Sequence, residues 1–327
     1  MDQTMTLQID HLCTSFFTQR GEVKAVNDVS IDVPRGKIVG IVGESGCGKS
    51  MTARSILGLL KYPGKIVSGE IRLEGRELTA LSERELCEVR GSEISMIFQE
   101  PMTSLNPVMK VGKQVQEAIL LHRPVSKQEA KQQTLAIFEK VGISEPEKRY
   151  HCYPHELSGG LRQRVMIAMA MVCRPKLLIA DEPTTALDVT VEAQILQLMK
   201  TLRDEEGTSM LLISHNLGVI AQLCDYVYVM YAGRIVEQAD TFELFDHPMH
   251  PYTRGLLNAV AALGRGGDRL DTIPGVVPNL LHLPDGCSFS LRCAQLETRC
   301  TDCLPALHTV SEGHKVRCHL AEKEVRT

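Results

Sequence analysis

The sequence predicts an α/β protein with a parallel sheet, followed by a small, irregular, cysteine-rich C-terminal domain. Three observations lead there. Gly43-Glu44-Ser45-Gly46-Cys47-Gly48-Lys49-Ser50 fits the phosphate-loop pattern G-x-x-x-x-G-K-[ST], between an apolar strand from Gly36 to Val42 and a helix start from Met51 to Leu57. Two later runs, Lys176 to Asp181 and Ser209 to His215, are continuous apolar strands that end in a polar residue, the habit of a parallel sheet covered on both faces. Five of the 11 cysteines, Cys287, Cys293, Cys300, Cys303 and Cys318, crowd the last 41 residues.

Residues 7–35 show alternation that predicts short strands, such as Leu7 to Ile9 and Val29 to Val33. Gly69 to Gly75 is another alternating strand closed by a glycine turn. The polar stretch from Ser126 to Val141 predicts a helix, with Gly142 as its stop. Tyr226 to Met230 is a further strand, and Thr253 to Leu263 a short helix. The texture changes after about residue 246, and a Gly/Arg-rich run follows at Gly264 to Gly267. We place the boundary near 250–268, giving a nucleotide-binding domain over 1–250 and an extension over 251–327. The extension is too small to hold a good core without a staple.

Composition is that of a globular protein, 43% hydrophobic and 23% charged, with a formal charge of −4. That balance argues against nucleic acid as the partner, since phosphate contacts call for a basic face. The longest apolar run, Val165 to Cys173, is nine residues, against about 18 for a membrane span. The first residues lack a basic stretch followed by an apolar one, so no signal peptide is expected. The expected location is cytoplasmic, peripheral to a membrane.

The loop explains its own residue types. Gly43, Gly46 and Gly48 let backbone N–H groups, with those of Ser45, Cys47 and Met51 around them, close on phosphate oxygens, and the following helix N-terminus favours the negative charge. Lys49 can reach the β- and γ-phosphates, and the Ser50 hydroxyl can ligate Mg²⁺. Cys47 lies near that helix N-terminus, which should lower its pKa. Alkylation of the nucleotide-free protein is then expected to inhibit, and MgATP to protect.

Three later segments narrow the choice among phosphate-loop enzymes. Leu157-Ser158-Gly159-Gly160-Leu161-Arg162-Gln163-Arg164 resembles the signature sequence of ATP-binding cassette (ABC) proteins, with Leu161 in place of the usual Gln. Leu178 to Pro183 resembles their Walker B strand, and Ala186-Leu187-Asp188 their D-loop. His215 stands where their switch histidine does, followed by Asn216 where Asp is common, and Gln99 stands at the Q-loop glutamine. The resemblance implies a P-loop ABC nucleotide-binding domain with a helical subdomain over about 100–175. It implies that Asp181 holds Mg²⁺ and that Glu182 is the general base. His215 would contact the γ-phosphate, Gln99 would sense Mg²⁺ and the attacking water, and Phe16 (or Phe17) would stack on adenine. Ser158 and Gly160 would serve ATP bound to the opposite subunit, in a dimer with two ATP molecules sandwiched head to tail.

Further segments resemble the ATP-binding subunits of bacterial oligopeptide/dipeptide permeases, over nearly the whole chain. They are Phe98 to Pro107, Ala180 to Thr190, His250 to Thr253 and Ile273 to Pro278. The chain looks most like the first of the two homologous ATPases such permeases use. The resemblance implies a peptide importer with two membrane permease subunits, a second ATPase and an extracytoplasmic solute-binding protein, on the cytoplasmic face of the inner membrane. Related importers take up nickel, glutathione or other small solutes. Met102 to Pro107 would lie where the membrane subunits dock. Two rival readings are a soluble ABC ATPase of repair or translation, and an iron–sulfur or zinc regulator with a vestigial cassette. The first expects a coiled-coil insertion or tandem cassettes, which this chain lacks; the second conflicts with intact Lys49, Asp181, Glu182 and His215.

The cysteine spacing is neither a standard zinc finger nor a ferredoxin run. Four soft thiolates in a short coreless segment point to a tetrahedral metal or an iron–sulfur cluster, with unligated thiols as the bland alternative. The permease resemblance implies a [4Fe-4S] cluster on Cys287, Cys293, Cys300 and Cys318, with zinc as the alternative metal. Cys303 falls outside that pattern, and Ala294 replaces the family's usual proline.

Overall fold

A computed structural model describes residues 4–99, 104–185, 187–264 and 273–321. Its strands are β1 (Met5–Thr18), β2 (Gly21–Pro34), β3 (Ile38–Val42), β4 (Gly64–Leu73), β5 (Arg76–Glu77), β6 (Ile94–Ile97) and β7 (Leu177–Asp181). They continue with β8 (Ser209–Ser214), β9 (Tyr226–Tyr231), β10 (Arg234–Asp240), β11 (His308–Ser311) and β12 (His314–Val316). The chain divides into two compact units. One comprises Met1–Thr6, Val33–Lys37 and Ala80–Leu211; the other comprises Leu7–Asp32, Ile38–Thr79 and Leu212–Thr327.

The second unit carries the phosphate loop. Its antiparallel sheet runs β2-β1-β4-β5. Leu7 and Ile9 of β1 sit opposite Leu73 and Ile71 of β4 and are fully buried, so alternation in the sequence becomes one apolar face. Where short strands were expected over 7–35, two 14-residue strands form. β1 keeps its length past Asp10 because an irregularity between Asp10 and Cys13, with His11 in the left-handed region, absorbs the break in pattern. All five residues of β3 are buried, as expected for a strand covered on both faces, and it pairs in parallel with β9. β9 pairs antiparallel with β10, β10 with β12, and β12 with β11. The C-terminal segment therefore does not stand apart. It adds two strands beyond β10 and buries Phe289, Val316 and Ala321. Phe289 meets Tyr231 edge to face at 5.3 Å, and Tyr231 meets Tyr252 at 4.6 Å. Each such aromatic pair adds about 1 kcal/mol beyond its buried area.

The first unit is mainly helical around the parallel pair β6–β7. Its helices include Val111–His122, Lys127–Lys140, Gly159–Met171 and Val189–Glu206. Lys127–Lys140 starts where the sequence says: the Ser126 hydroxyl accepts the Glu129 N–H at 3.1 Å. Tyr150 is buried and donates its hydroxyl to Gln116 Oε1 at 2.7 Å, fixing the connection between helices. Residues 100–103, which include the start of the expected docking run Met102 to Pro107, lie outside the described residues, as do Ala186 and residues 265–272, which include the end of the 250–268 boundary region.

Candidate functional site

In the phosphate-loop unit, the helix Lys49–Ile56 begins at Gly48, and no side chain caps it. A helix N-terminus without a side-chain cap can accept an anion. Gly48 has φ of 111°, and an added Cβ would lie 2.3 Å from the Ala25 carbonyl; at Gly43 it would lie 2.2 Å from that of Met230. Only glycine lets the loop fold this tightly. Lys49 is buried and donates its Nζ to the carbonyls of Gly43 (2.7 Å) and Glu44 (2.9 Å), closing the loop on itself. Ser45 and Gly46 are exposed at the rim, while Ser50 and Met51 are half-buried on the first helical turn. Phe16 is half-buried on β1, opposite Gly64 of β4; Phe17 is exposed with Lys65 over its ring. His215 is exposed, directly after β8, and Asn216 caps the helix that follows by accepting the Gly218 N–H.

In the other unit, β7 ends at Asp181, which is 3% exposed. The next residue, Glu182, has φ of 49°, a left-handed conformation that costs a non-glycine residue about 1 kcal/mol. The carboxylate so aimed accepts Gln99 Nε2 at 2.8 Å and the Thr185 hydroxyl at 3.0 Å. The structure thus joins two residues that are 83 positions apart. Ser158 is exposed and caps Gly159–Met171 by accepting the Leu161 N–H at 3.4 Å. Gly160 lies against Val191, whose Cγ1 stands 2.9 Å from where a Cβ would be. Asp188 caps Val189–Glu206, accepting the Val191 N–H at 2.9 Å.

The third group is in the C-terminal segment. Cys287, Cys293, Cys300 and Cys318 line one small cavity, together with His250, Phe289 and Pro305. Burial pushes the Cys287 thiol up to about 11, and the neighbouring Cys318, Cys300 and Cys293 add to the rise. His250 is buried; its Nδ1 accepts the Tyr252 N–H at 3.0 Å, so the ring proton sits on Nε2. That buried Nε2 has no hydrogen-bond partner among the described residues. No cysteine forms a disulfide. Cys303 is exposed and does not line the cavity. Among the described residues, no group of three or more His, Cys, Asp or Glu side chains is already arranged to hold a metal ion.

A family described as "ABC transporter" matches residues 26–185, and one described as "Oligopeptide/dipeptide transporter, C-terminal region" matches residues 236–300. The oligopeptide transport ATP-binding protein AppD of Bacillus subtilis is 48% identical over 97% of both chains. OppD of Salmonella typhimurium, described in the same words, is 50% identical over 98% of this chain and 95% of its own. The chain belongs to the oligopeptide/dipeptide family of ABC transporter ATP-binding proteins. The solved dimeric cassette MJ0796, bound to ADP and phosphate, superimposes with a TM-score of 0.65 at 25% identity, over 72% of this chain and 98% of that one. As a member of this ABC family the chain is an ATPase, and its nucleotide-binding part has the P-loop ABC fold.

Within this ABC ATPase, one sequence expectation is corrected. Cys47 was to be a low-pKa thiol, but it is fully buried. Burial raises its pKa, outweighing the nearby Lys49 that pulls it down. A helix N-terminus activates a cysteine only when solvent and reagent reach it. Sequence reasoning missed Thr185, which holds Glu182, and Arg292, which reaches the phosphate loop. Thr185 gave a weak signal by following the acid at helical-turn spacing. Arg292 gave none, since its partner lies 248 residues earlier.

Proposed function

We propose that this ABC ATPase powers an importer of di- and oligopeptides, working with two membrane permease subunits, a homologous second ATPase and a solute-binding protein. It would sit peripherally on the cytoplasmic face of the cell membrane. Among the described residues no helix is long and apolar enough to cross a membrane, which fits a pore made by other subunits. The peptide relatives over nearly the full length support this substrate class, and nickel or glutathione remains the alternative cargo.

The observation that carries the catalytic reading is the strained Glu182 carboxylate, held by Gln99 and Thr185 at the end of a buried strand. ATP hydrolysis rests on positioning and charge stabilisation. Lys49 and the loop N–H groups hold the phosphates. Glu182 takes the proton of the attacking water, and His215 steadies the γ-phosphate. Gln99, bonded to the base, reports its state. Ser50 and Asp181 offer the hard oxygen donors that suit Mg²⁺, which neutralises β/γ-phosphate charge when bound. Ser158, Gly159, Gly160 and Asp188 serve the ATP of the opposing subunit, and Phe16 the adenine.

The cysteine cavity suits a soft-metal group in donor chemistry: four thiols and an imidazole N–H with nothing to donate to among the described residues. We assign Cys287, Cys293, Cys300 and Cys318 to a [4Fe-4S] cluster, with zinc as the alternative, as a staple for the segment. Such a group supplies cross-linking, and His250 would donate to one of its sulfurs. The extension over 251–327 would thus be a metal-stapled appendage of the ATPase domain. Gentle solubilisation of membranes with the tagged chain tests the whole reading. Recovery with two multi-span subunits and a related ATPase is expected; a lone soluble homodimer, or one with ribosomes, would overturn it.

A further inference from the structure

The phosphate loop contains an acid, Glu44, in a position where an anionic triphosphate has to bind. Arg292 meets that acid with both arms of its guanidinium: Nη1 donates to Oε2 at 2.6 Å and Nη2 to Oε1 at 3.0 Å. The side chain of Arg292 is 4% exposed and that of Glu44 28%. The rest of the guanidinium is fully engaged. Nε donates to the Pro274 carbonyl at 2.9 Å, Nη2 also to that of Ile273 at 3.1 Å, and Nη1 also to the Tyr231 hydroxyl at 3.4 Å. A second anchor holds the same loop residue, because the Glu44 N–H donates to the Tyr252 hydroxyl at 2.8 Å. A bidentate, buried, fully bonded arginine is a rigid fixture rather than a surface pairing.

We propose that Arg292 is a positioning residue for ATP binding: it neutralises Glu44 and ties its carboxylate back, so that the loop receives the triphosphate without a competing negative charge. The inference rests on the reading of Gly43–Ser50 as the ATP loop. The C-terminal segment then has a role in nucleotide affinity besides any in folding. Without Arg292 the freed carboxylate repels the phosphates and competes for Lys49 and the loop N–H groups. Ground-state binding weakens while the hydrolytic groups are untouched, so KM rises and kcat holds.

The test compares five variants of the full chain for ATP affinity and for steady-state turnover, with thermal unfolding as the control for folding. Arg292→Met should raise the ATP Kd and KM about tenfold with kcat within about twofold. Arg292→Lys should recover part of the loss. Glu44→Gln should bind ATP at least as tightly as the wild type. The double variant Arg292→Met with Glu44→Gln should return to within about threefold of wild type, since the offending charge is gone. A double variant no better than Arg292→Met overturns the proposal, as does unchanged KM in Arg292→Met. If Arg292→Met fails to fold, Glu44→Gln still decides, because weaker ATP binding there overturns the proposal. Lys49→Ala marks the underlying assumption: retained ATP affinity in it would remove the ATP-loop reading itself rather than the clamp.

Discussion

The phosphate loop and the cysteine cavity belong to the same compact unit, yet they are built in opposite ways. The loop is eight consecutive residues whose geometry follows from their order: glycines where side chains cannot fit, a lysine that folds back, a helix that starts uncapped. The cavity draws Cys287, Cys293, Cys300 and Cys318 together across 32 positions, and adds His250 from a helix approach much earlier in the chain. The loop's shape rests on its backbone and on the Lys49 side chain that folds back onto it. The cavity depends on a few side chains meeting, and those meet only where β10, β12 and the aromatic cluster pack together. The lesson is that the loop's residue pattern is written locally, while its charge balance at Glu44 and the whole of the cavity depend on groups the fold brings in from far along the chain.

The largest expected effect is at Glu182, the base of the proposed mechanism. Glu182→Gln should lower kcat by about 10³-fold while ATP binding persists, since only the base is lost. Full turnover in purified protein would take Glu182 out of the mechanism. At the cavity, Cys293→Ser should remove bound iron and sulfide, or zinc, and lower Tm by roughly 10 °C, given about 2–4 °C per kcal/mol for a unit of this size. Metal content and Tm equal to wild type would take Cys293 out of any metal site in the cavity. Gln99→Ala should cut kcat about tenfold with KM little changed, because Glu182 loses an orienting partner.

A smaller effect sharpens the account of how the C-terminal strands are held. His314 is buried; burial opposes its charge, but Glu237 at 2.8 Å and Glu243 at 3.3 Å outweigh that and raise its pKa. A raised histidine contributes stability fully below its unfolded pKa of about 6.5 and loses it as pH climbs through the folded value. His314→Gln should therefore cost about 2 kcal/mol at pH 6 and less at pH 9. Equal Tm losses at both pH values would show that the ion pair contributes nothing. Smallest of all, Cys47 should label far more slowly with iodoacetamide than exposed Cys87, with or without nucleotide. Fast labelling of Cys47 would restore the low-pKa reading.

Much of this ATPase was legible from residue order. The strand at Ile38–Val42, the helix at Lys127–Lys140 with Ser126 as its cap, and the buried strands at Leu177–Asp181 and Ser209–Ser214 each carry a local signal of apolar period, cap or breaker. Those signals act over a turn or a strand, so no tertiary knowledge is required to read them. The tertiary structure alone decided what Glu182 bonds to, that Cys47 is sealed from solvent, and that the C-terminal segment joins the phosphate-loop unit through β12 and Arg292. Each of these depends on groups dozens to hundreds of positions apart reaching hydrogen-bond or van der Waals distance. Sequence spacing carries no record of that distance, because it is set by how sheets and helices pack and by which charges must be satisfied once water is excluded.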